Sequence, residues 1–189
     1  MARPKAFDRQ KAQLQALHVF WRKGYAATSI EDLVEALHLS RSSLYDTFGD
    51  KRTLFLDALK LYSKSVIGRV ERTLNEASSP LAAIRTIFDE MAAGVGTESG
   101  AMGCFMVNSV AELVPYDSDV SEIAAAYSES FQRLLADALA QDTAPRQQTA
   151  EQLAAYVFNV IQGMRILVKS GATREQIQAI GAITLNSLQ

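Results

Sequence analysis

Apolar residues recur along this chain at spacings of three and four, the period of an amphipathic helix, almost from one end to the other. Leu14, Leu17 and Trp21 form a first stripe, which stops at Gly24, a helix-ending glycine followed by apolar Tyr25. Thr28 with Glu31 reads as a capping box opening a second helix through Ile30, Leu33, Val34 and Leu37. Ser40 can cap a third, with Leu44 and Phe48 inward, and Asp50 a fourth and longer one carrying Leu54, Leu61, Tyr62 and Val66. Pro80 suits the first turn of the next, ahead of Leu81, Ile84, Ile87, Phe88 and Met91. A glycine-rich connector, Gly94–Gly103, precedes Cys104–Leu113, and Pro115 closes that segment. Further helices are expected over residues 118–140, 147–169 and 173–188. Only Cys104–Val110 has a strand-like composition, and a lone strand would have no partner. The expectation is an all-α fold of about nine helices. Residues 1–55 form a three-helix helix-turn-helix unit and residues 56–189 a larger helical body.

Composition adds exclusions. The chain has 189 residues, a formal net charge of −2, one cysteine and two histidines. An internal disulfide framework and the usual multi-cysteine zinc sites are therefore excluded, and no metal or cofactor is expected. No apolar run approaches the roughly 20 residues of a membrane span, and the polar opening MARPKAFDRQ lacks a signal-peptide core. A cytoplasmic protein without membrane partners is expected. The acidic total also hides an asymmetry. Residues 1–60 hold ten Lys/Arg against seven Asp/Glu, and the remainder nine against fourteen. A basic N-terminal third suits a polyanion partner, and uneven surface composition is the plain alternative.

Residues 28–54 bear on that choice. Two short helices joined by a tight turn, the second with a polar outer face, make a helix-turn-helix pattern. On a helical wheel Ser42, Tyr45 and Asp46 fall beside Arg41, while Leu44 and Phe48 fall opposite. One face can bury and the other can lie in a major groove. There Arg41 can read guanine edges, and Ser42, Ser43 and Thr47 can reach bases or phosphates. Periodicity alone leaves an ordinary amphipathic hairpin equally open.

The residues themselves decide further. Ala16, Phe20, Gly24-Tyr25, Thr28, Ile30, Leu39-Ser40-Arg41, Ser43-Leu44-Tyr45, Phe48, Asp50-Lys51 and Leu54 stand at the spacing of one family. Over about its first 55 residues the chain resembles the TetR/AcrR family of bacterial repressors, including the characteristic Leu-Tyr-x-x-Phe-x-x-Lys core. The resemblance implies a homodimer on a palindromic or pseudo-palindromic double-stranded DNA operator, released by a small-molecule effector. It implies phosphate contacts from Tyr45 and Lys51, with Thr28, Ser29 and Ser40 at the helix starts completing the DNA face. One departure is clear: the turn carries Leu37-His38 where the family has Ala-Gly. His38 either occupies the turn in a left-handed conformation or touches phosphate itself. Arg3 and Lys5 form either an arm along DNA or a solvated terminus.

Beyond the N-terminal unit the signals are sparser. Gly94-Val95-Gly96 with Gly100 and Gly103 looks like a phosphate loop, but its spacing is wrong and it follows a helix; it reads as a connector. Cys104 stands at a helix start, where the macrodipole favours a negative sulfur. Gly103–Asn108 resembles a subgroup of the family that includes the electrophile-responsive repressor of N-ethylmaleimide reductase. Cys104 is then either a thiol sensor or an inert packed residue. By the same resemblance the middle helices enclose an effector cavity, for which Met91, Cys104, Phe105, Met106, Asn108, Tyr127 and Phe131 are candidates against plain core packing. The last two helices form a dimer interface, for which Leu153, Val157, Val160, Ile161, Met164, Leu167, Ile177, Ile180 and Leu188 supply apolar stripes. Gly163, Ala179 and Gly181 would allow close approach. No catalytic constellation stands out. An all-α enzyme or a protein-interaction module without DNA binding are the alternatives.

Overall fold

The structure is a computed structural model that describes residues 8–142 and 147–189. Ten helices and no strand lie among them: α1 (Arg9–Lys23), α2 (Ile30–Leu37), α3 (Arg41–Phe48), α4 (Lys51–Glu76), α5 (Pro80–Ala93), α6 (Glu98–Met102), α7 (Phe105–Leu113), α8 (Ser118–Leu139), α9 (Ala150–Lys169) and α10 (Arg174–Ser187). The all-α expectation holds, and the strand-like Cys104–Val110 run is the start of α7. Arg3 and Lys5 lie outside the described residues.

Side-chain caps set most helix starts. Asp8, Ser40, Asp50, Ser79 and Asp117 each accept a backbone N–H from the first turn, and Thr149–Gln152 and Thr173–Gln176 form capping boxes. At α2 the capping box lies one residue later than expected. Ser29 Oγ accepts from Asp32 N at 3.1 Å, and Asp32 Oδ2 accepts from Ser29 N at 2.9 Å. Thr28 is unavailable for capping because its side chain is buried, with its hydroxyl donating to Gly24 O at 2.6 Å.

The first helix also turns differently from its expected stripe. Ala12, Ala16, Leu17 and Phe20 are buried, whereas Leu14 is 47% exposed. Two alanines on the inner face bring α1 close against α4, an arrangement that a hydrophobicity count favouring leucine does not anticipate. The glycine-rich connector is likewise more ordered than a loop, because it contains α6. Gly100 is required there: a Cβ would stand 2.0 Å from Gly94 O.

His38 adopts φ 53° and ψ 40°, the left-handed conformation expected of the turn residue. A side chain in that region costs about 1–2 kcal/mol, partly offset by the lower entropy of a non-glycine unfolded chain. His38→Gly is therefore expected to raise stability by about 0.5–1 kcal/mol in urea denaturation. A loss of stability would show that the imidazole makes a compensating contact.

One apolar core runs through the whole molecule. Phe55, on α4, sits at its crossing point. Its ring meets Phe20 edge-on at 5.2 Å, Tyr25 at 4.9 Å and Phe105 at 5.7 Å. The N-terminal helices are thus built onto the first turns of α4, which continues without a break into the larger body.

Candidate nucleic-acid interface and effector site

The outer face of α3 is as the wheel predicts. Arg41, Ser42, Tyr45 and Asp46 are exposed, Ser43 and Thr47 are half-buried, and Leu44 and Phe48 are buried against the N-terminal core. Tyr45 is 43% exposed, with its hydroxyl free to reach outward. Ser40, Ser42 and Ser43 share a hydroxyl cluster at the helix start, where Ser40 Oγ caps Ser43 N and lies 3.0 Å from Ser42 Oγ. Thr47 Oγ1 donates back to Ser43 O. The Arg41 guanidinium is paired with Glu31 of α2, across the turn. Both partners are well exposed, so the pair orients Arg41 with little binding strength of its own.

Two expected contact residues are engaged in the protein instead. Thr28 is 1% exposed, and its hydroxyl bonds within the α1–α2 turn, so of the two hydroxyl residues Ser29 is the one that faces solvent. Lys51 Nζ donates to Tyr25 O and Thr28 O, both at 2.8 Å, and stands 4.3 Å over the Tyr25 ring. The ammonium thereby ties the start of α4 to the α1–α2 turn, a charge-assisted, cation–π clasp.

Two further ties join this turn and α4 to the larger body. Sequence reading missed both, since their partners lie 65 or more residues away. Glu112 of α7 accepts from Tyr25 N at 3.0 Å and Ala26 N at 2.7 Å. Arg52 bonds Asp117 through Nε at 3.0 Å and Nη2 at 2.8 Å, and reaches Asp119 as well. The hydrogen bonds from Arg52 hold the Asp117 carboxyl below its ordinary range despite some desolvation.

A cavity of about 200 Å³ opens among α1, α4, α5, α6 and α9. Met91 lines it, together with Trp21, Tyr62, Val66, Ile87 and Arg165. The other candidates stand elsewhere. Phe105 and Met106 are core residues of α7, Tyr127 and Phe131 core residues of α8, and Asn108 is held by Met102 O and Lys169. Apolar periodicity marks a helix's inner face and does not separate a cavity wall from filled core. Cys104 is the first cap of α7, as expected, and is 2% exposed. Its sulfur accepts from Tyr62 OH at 3.3 Å and from Arg165 Nη1 at 3.1 Å, and both of those donors line the cavity. Arg165 Nη1 also donates to Tyr127 OH at 3.1 Å. Burial pushes the Tyr62 and Tyr127 hydroxyls up. Burial opposes the charge on Arg165, and the hydrogen bonds it donates to Cys104 Sγ and Tyr127 OH offset part of that cost. The sequence signal for this cluster was a single arginine inside the apolar run of α9.

The proposed dimer stripes need correction. Leu153, Val157, Ile161, Met164, Ile177 and Leu188 are buried within the protomer, and Val160 and Ile180 are half-buried. Gly181 packs on Phe88 of α5 in the same chain. The exposed apolar face consists of Tyr156, Ile166 and Leu167 on α9 and Ile183 on α10, with Gly163 and Ala179 between them. Both helices carry apolar residues on two sides, and their broader stripe is the one the protomer's own core takes.

A helix-turn-helix on an all-α body with a lined cavity and an exposed apolar helix pair defines a DNA-binding regulator with a sensing domain. The comparisons agree. Residues 15–58 match the bacterial regulatory proteins of the tetR family, and residues 80–183 match the C-terminal domain of LmrA/YxaF-like transcriptional regulators. The chain belongs to the TetR family. It is 32% identical to the HTH-type transcriptional repressor ComR of Escherichia coli K12, over 97% of this chain and 90% of that one. Among solved structures it resembles a cysteine mutant of the TetR-family regulator CifR bound to 26-base-pair operator DNA. That likeness has a TM-score of 0.86 and 27% identity over 98% of this chain and 99% of that one. Reduced E. coli NemR shares the fold, with a TM-score of 0.82 and 15% identity over 93% and 96% of the two chains. No described helix is long and apolar enough to cross a membrane.

Proposed function

We propose that the chain is a cytoplasmic, homodimeric transcriptional repressor, not an enzyme, and that residues 1–55 hold the operator while residues 56–189 sense and dimerise. The observation that carries this reading is the outward face of α3, where Arg41, Ser42 and Tyr45 are exposed above a buried Leu44 and Phe48. Arg41 reads base edges after leaving Glu31, an exchange made cheap by the exposure of that pair. Tyr45, Ser42, Ser43 and Thr47, with Ser29 and Ser40 at the helix starts, position the helix on the phosphates. Lys51 fixes the α1–α2 turn and adds positive potential at the start of α4, where backbone N–H groups also favour phosphate.

The sensing body acts by preferring one spacing of the two α3 helices over another, and an effector shifts that preference only through differential affinity. Two inputs suit the cluster around Cys104: a small molecule in the cavity, and alkylation of the thiol. In the second, Sγ adds to an electrophilic alkene; the new S–C bond replaces the C=C π bond, and the thiol proton ends on the neighbouring carbon. An adduct replaces the thiol that Tyr62 OH and Arg165 Nη1 bond, so both hydrogen bonds are disturbed. Mass-spectrometric labelling with operator titration tests this input, and an adduct that leaves affinity unchanged would remove it.

Operator selection from random duplexes, followed by salt titration, tests the repressor reading. Arg41→Ala is expected to relax preference at one position of each half-site by about 1–3 kcal/mol. Lys51→Ala is expected to weaken operator and random duplex alike, because the α1–α2 turn that it fixes is loosened and positive potential is lost at the start of α4. Failure of the wild-type dimer to bind any duplex would overturn the reading.

A further inference from the structure

Arg165 lines the cavity and forms no ion pair among the described residues, although Glu90 stands in the same cavity wall. Arg165 is half-buried, facing α4, α7 and α8, and among the described residues no carboxylate lies within 4.0 Å of it. A guanidinium removed from part of its water gains from an anionic partner, because an unpaired charge costs more as its surroundings become less polar. Both of its hydrogen bonds, to Cys104 Sγ and Tyr127 OH, leave from Nη1. Nε and Nη2 therefore have no hydrogen-bond partner among the described residues. That edge of the guanidinium matches the two oxygens of a carboxylate. A second donor is also unmatched: the indole Nε1 of Trp21 is buried with no partner among the described residues, and Trp21 lines the same cavity as Arg165. Val66, Val70, Ile87 and Met91 supply the apolar part of the wall, and Arg69, Thr73, Glu90 and Ser99 a polar part.

We propose that this cavity binds a small carboxylic acid with an aromatic or aliphatic body, its carboxylate on the Nε–Nη2 edge of Arg165. The Trp21 indole N–H supplies a further donor, and the apolar body lies against Val66, Val70 and Ile87. This rests on the effector reading above and names the chemistry of the effector. A free mineral anion would leave Val66, Val70, Ile87 and Met91 uncovered.

The probes are benzoate and short-chain fatty acids, with benzamide and inorganic phosphate as controls. The chain has one tryptophan, so Trp21 emission reports cavity occupancy directly, and calorimetry gives the affinity. Benzoate or a short-chain acid is expected to change Trp21 emission saturably and to bind at least about tenfold more tightly than its amide or phosphate. Arg165→Gln should abolish that preference and Arg165→Lys should keep part of it, each variant being first shown to be folded by circular dichroism. Equal binding of acid and amide would overturn the proposal. So would an acid preference that survives Arg165→Gln, tight binding of phosphate, or no saturable binding of any acid below about 10 mM. Operator binding is measured separately on the wild-type protein. If it binds duplex and no acid, this proposal alone fails; if it binds acid and no duplex, the repressor reading fails and the anion site stands.

Discussion

Phe55→Ala is expected to destabilise the protein by about 3–5 kcal/mol, the usual cost of emptying a fully buried aromatic position. Phe55 is 1% exposed and is the ring through which Phe20 and Tyr25 of the DNA-binding unit meet Phe105 of α7. The cavity left behind cannot collapse easily, since α1, α4 and α7 each contribute one wall and each is fixed elsewhere by caps and ties. Urea denaturation read by circular dichroism and by Trp21 emission should show a lower midpoint. The two probes should also separate, because the N-terminal unit loses its main apolar link to the body. Leu14→Ala is the matched control on α1; at 47% exposure it should change stability by less than about 0.5 kcal/mol. A loss under about 1 kcal/mol for Phe55→Ala would mean that the aromatic junction does not hold the two parts together.

Ile183→Asp is expected to have the largest effect on DNA binding of any change far from DNA. Ile183 is 67% exposed and stands with Ile166, Leu167 and Tyr156 on the outer face of α9 and α10. A charge there has no partner once the face is covered, so the dimer should dissociate. Two linked half-site contacts gain about 10²–10⁴ in affinity over one, and that gain should vanish. Sedimentation velocity would report a monomer, while operator titration would fall to the weak binding of an isolated half-site. Retention of the dimer at micromolar concentration would show that the interface uses another surface. Ile177→Ala is a contrasting change: it lies inside the protomer and should cost stability without altering oligomeric state at a given folded fraction.

The ties between the DNA-binding unit and the body suggest how such a regulator is coupled. Cys104 begins α7, and Glu112 near its other end grips Tyr25 N and Ala26 N. Lys51 holds the carbonyls of Tyr25 and Thr28 in the same turn. A shift of α7 at its start is therefore felt at the turn from which α2 and α3 hang. Each contact joins residues far apart in sequence, which is why none has a local signature.

Much of the DNA-facing unit is legible without coordinates. Leu44 and Phe48 against Arg41, Ser42 and Tyr45 is a matter of one helical period, and the left-handed His38 follows from its standing in a glycine's place. Sequence alone does not separate Thr28 from Ser29 as the cap of α2, because the two are chemically equivalent there. Only the inward turn of Thr28 toward Gly24 O separates them. The inner face of α1 was misread for a related reason, since alanine is apolar enough to bury and small enough to be overlooked beside Leu14.

The chain's own periodicity and caps determined that it is helical, where most helices begin, and which face of α3 points outward. Those properties depend on neighbours three or four residues apart. Tertiary structure alone decided the rest. It turned the main stripes of α9 and α10 into core and left Ile166, Leu167 and Ile183 outside, and it engaged Lys51 with the α1–α2 turn. It also brought Cys104, Tyr62, Tyr127 and Arg165 together from four helices. The physical reason is the same throughout. Hydrophobic patterning is non-directional: it says that a face must be covered, and only packing says by what.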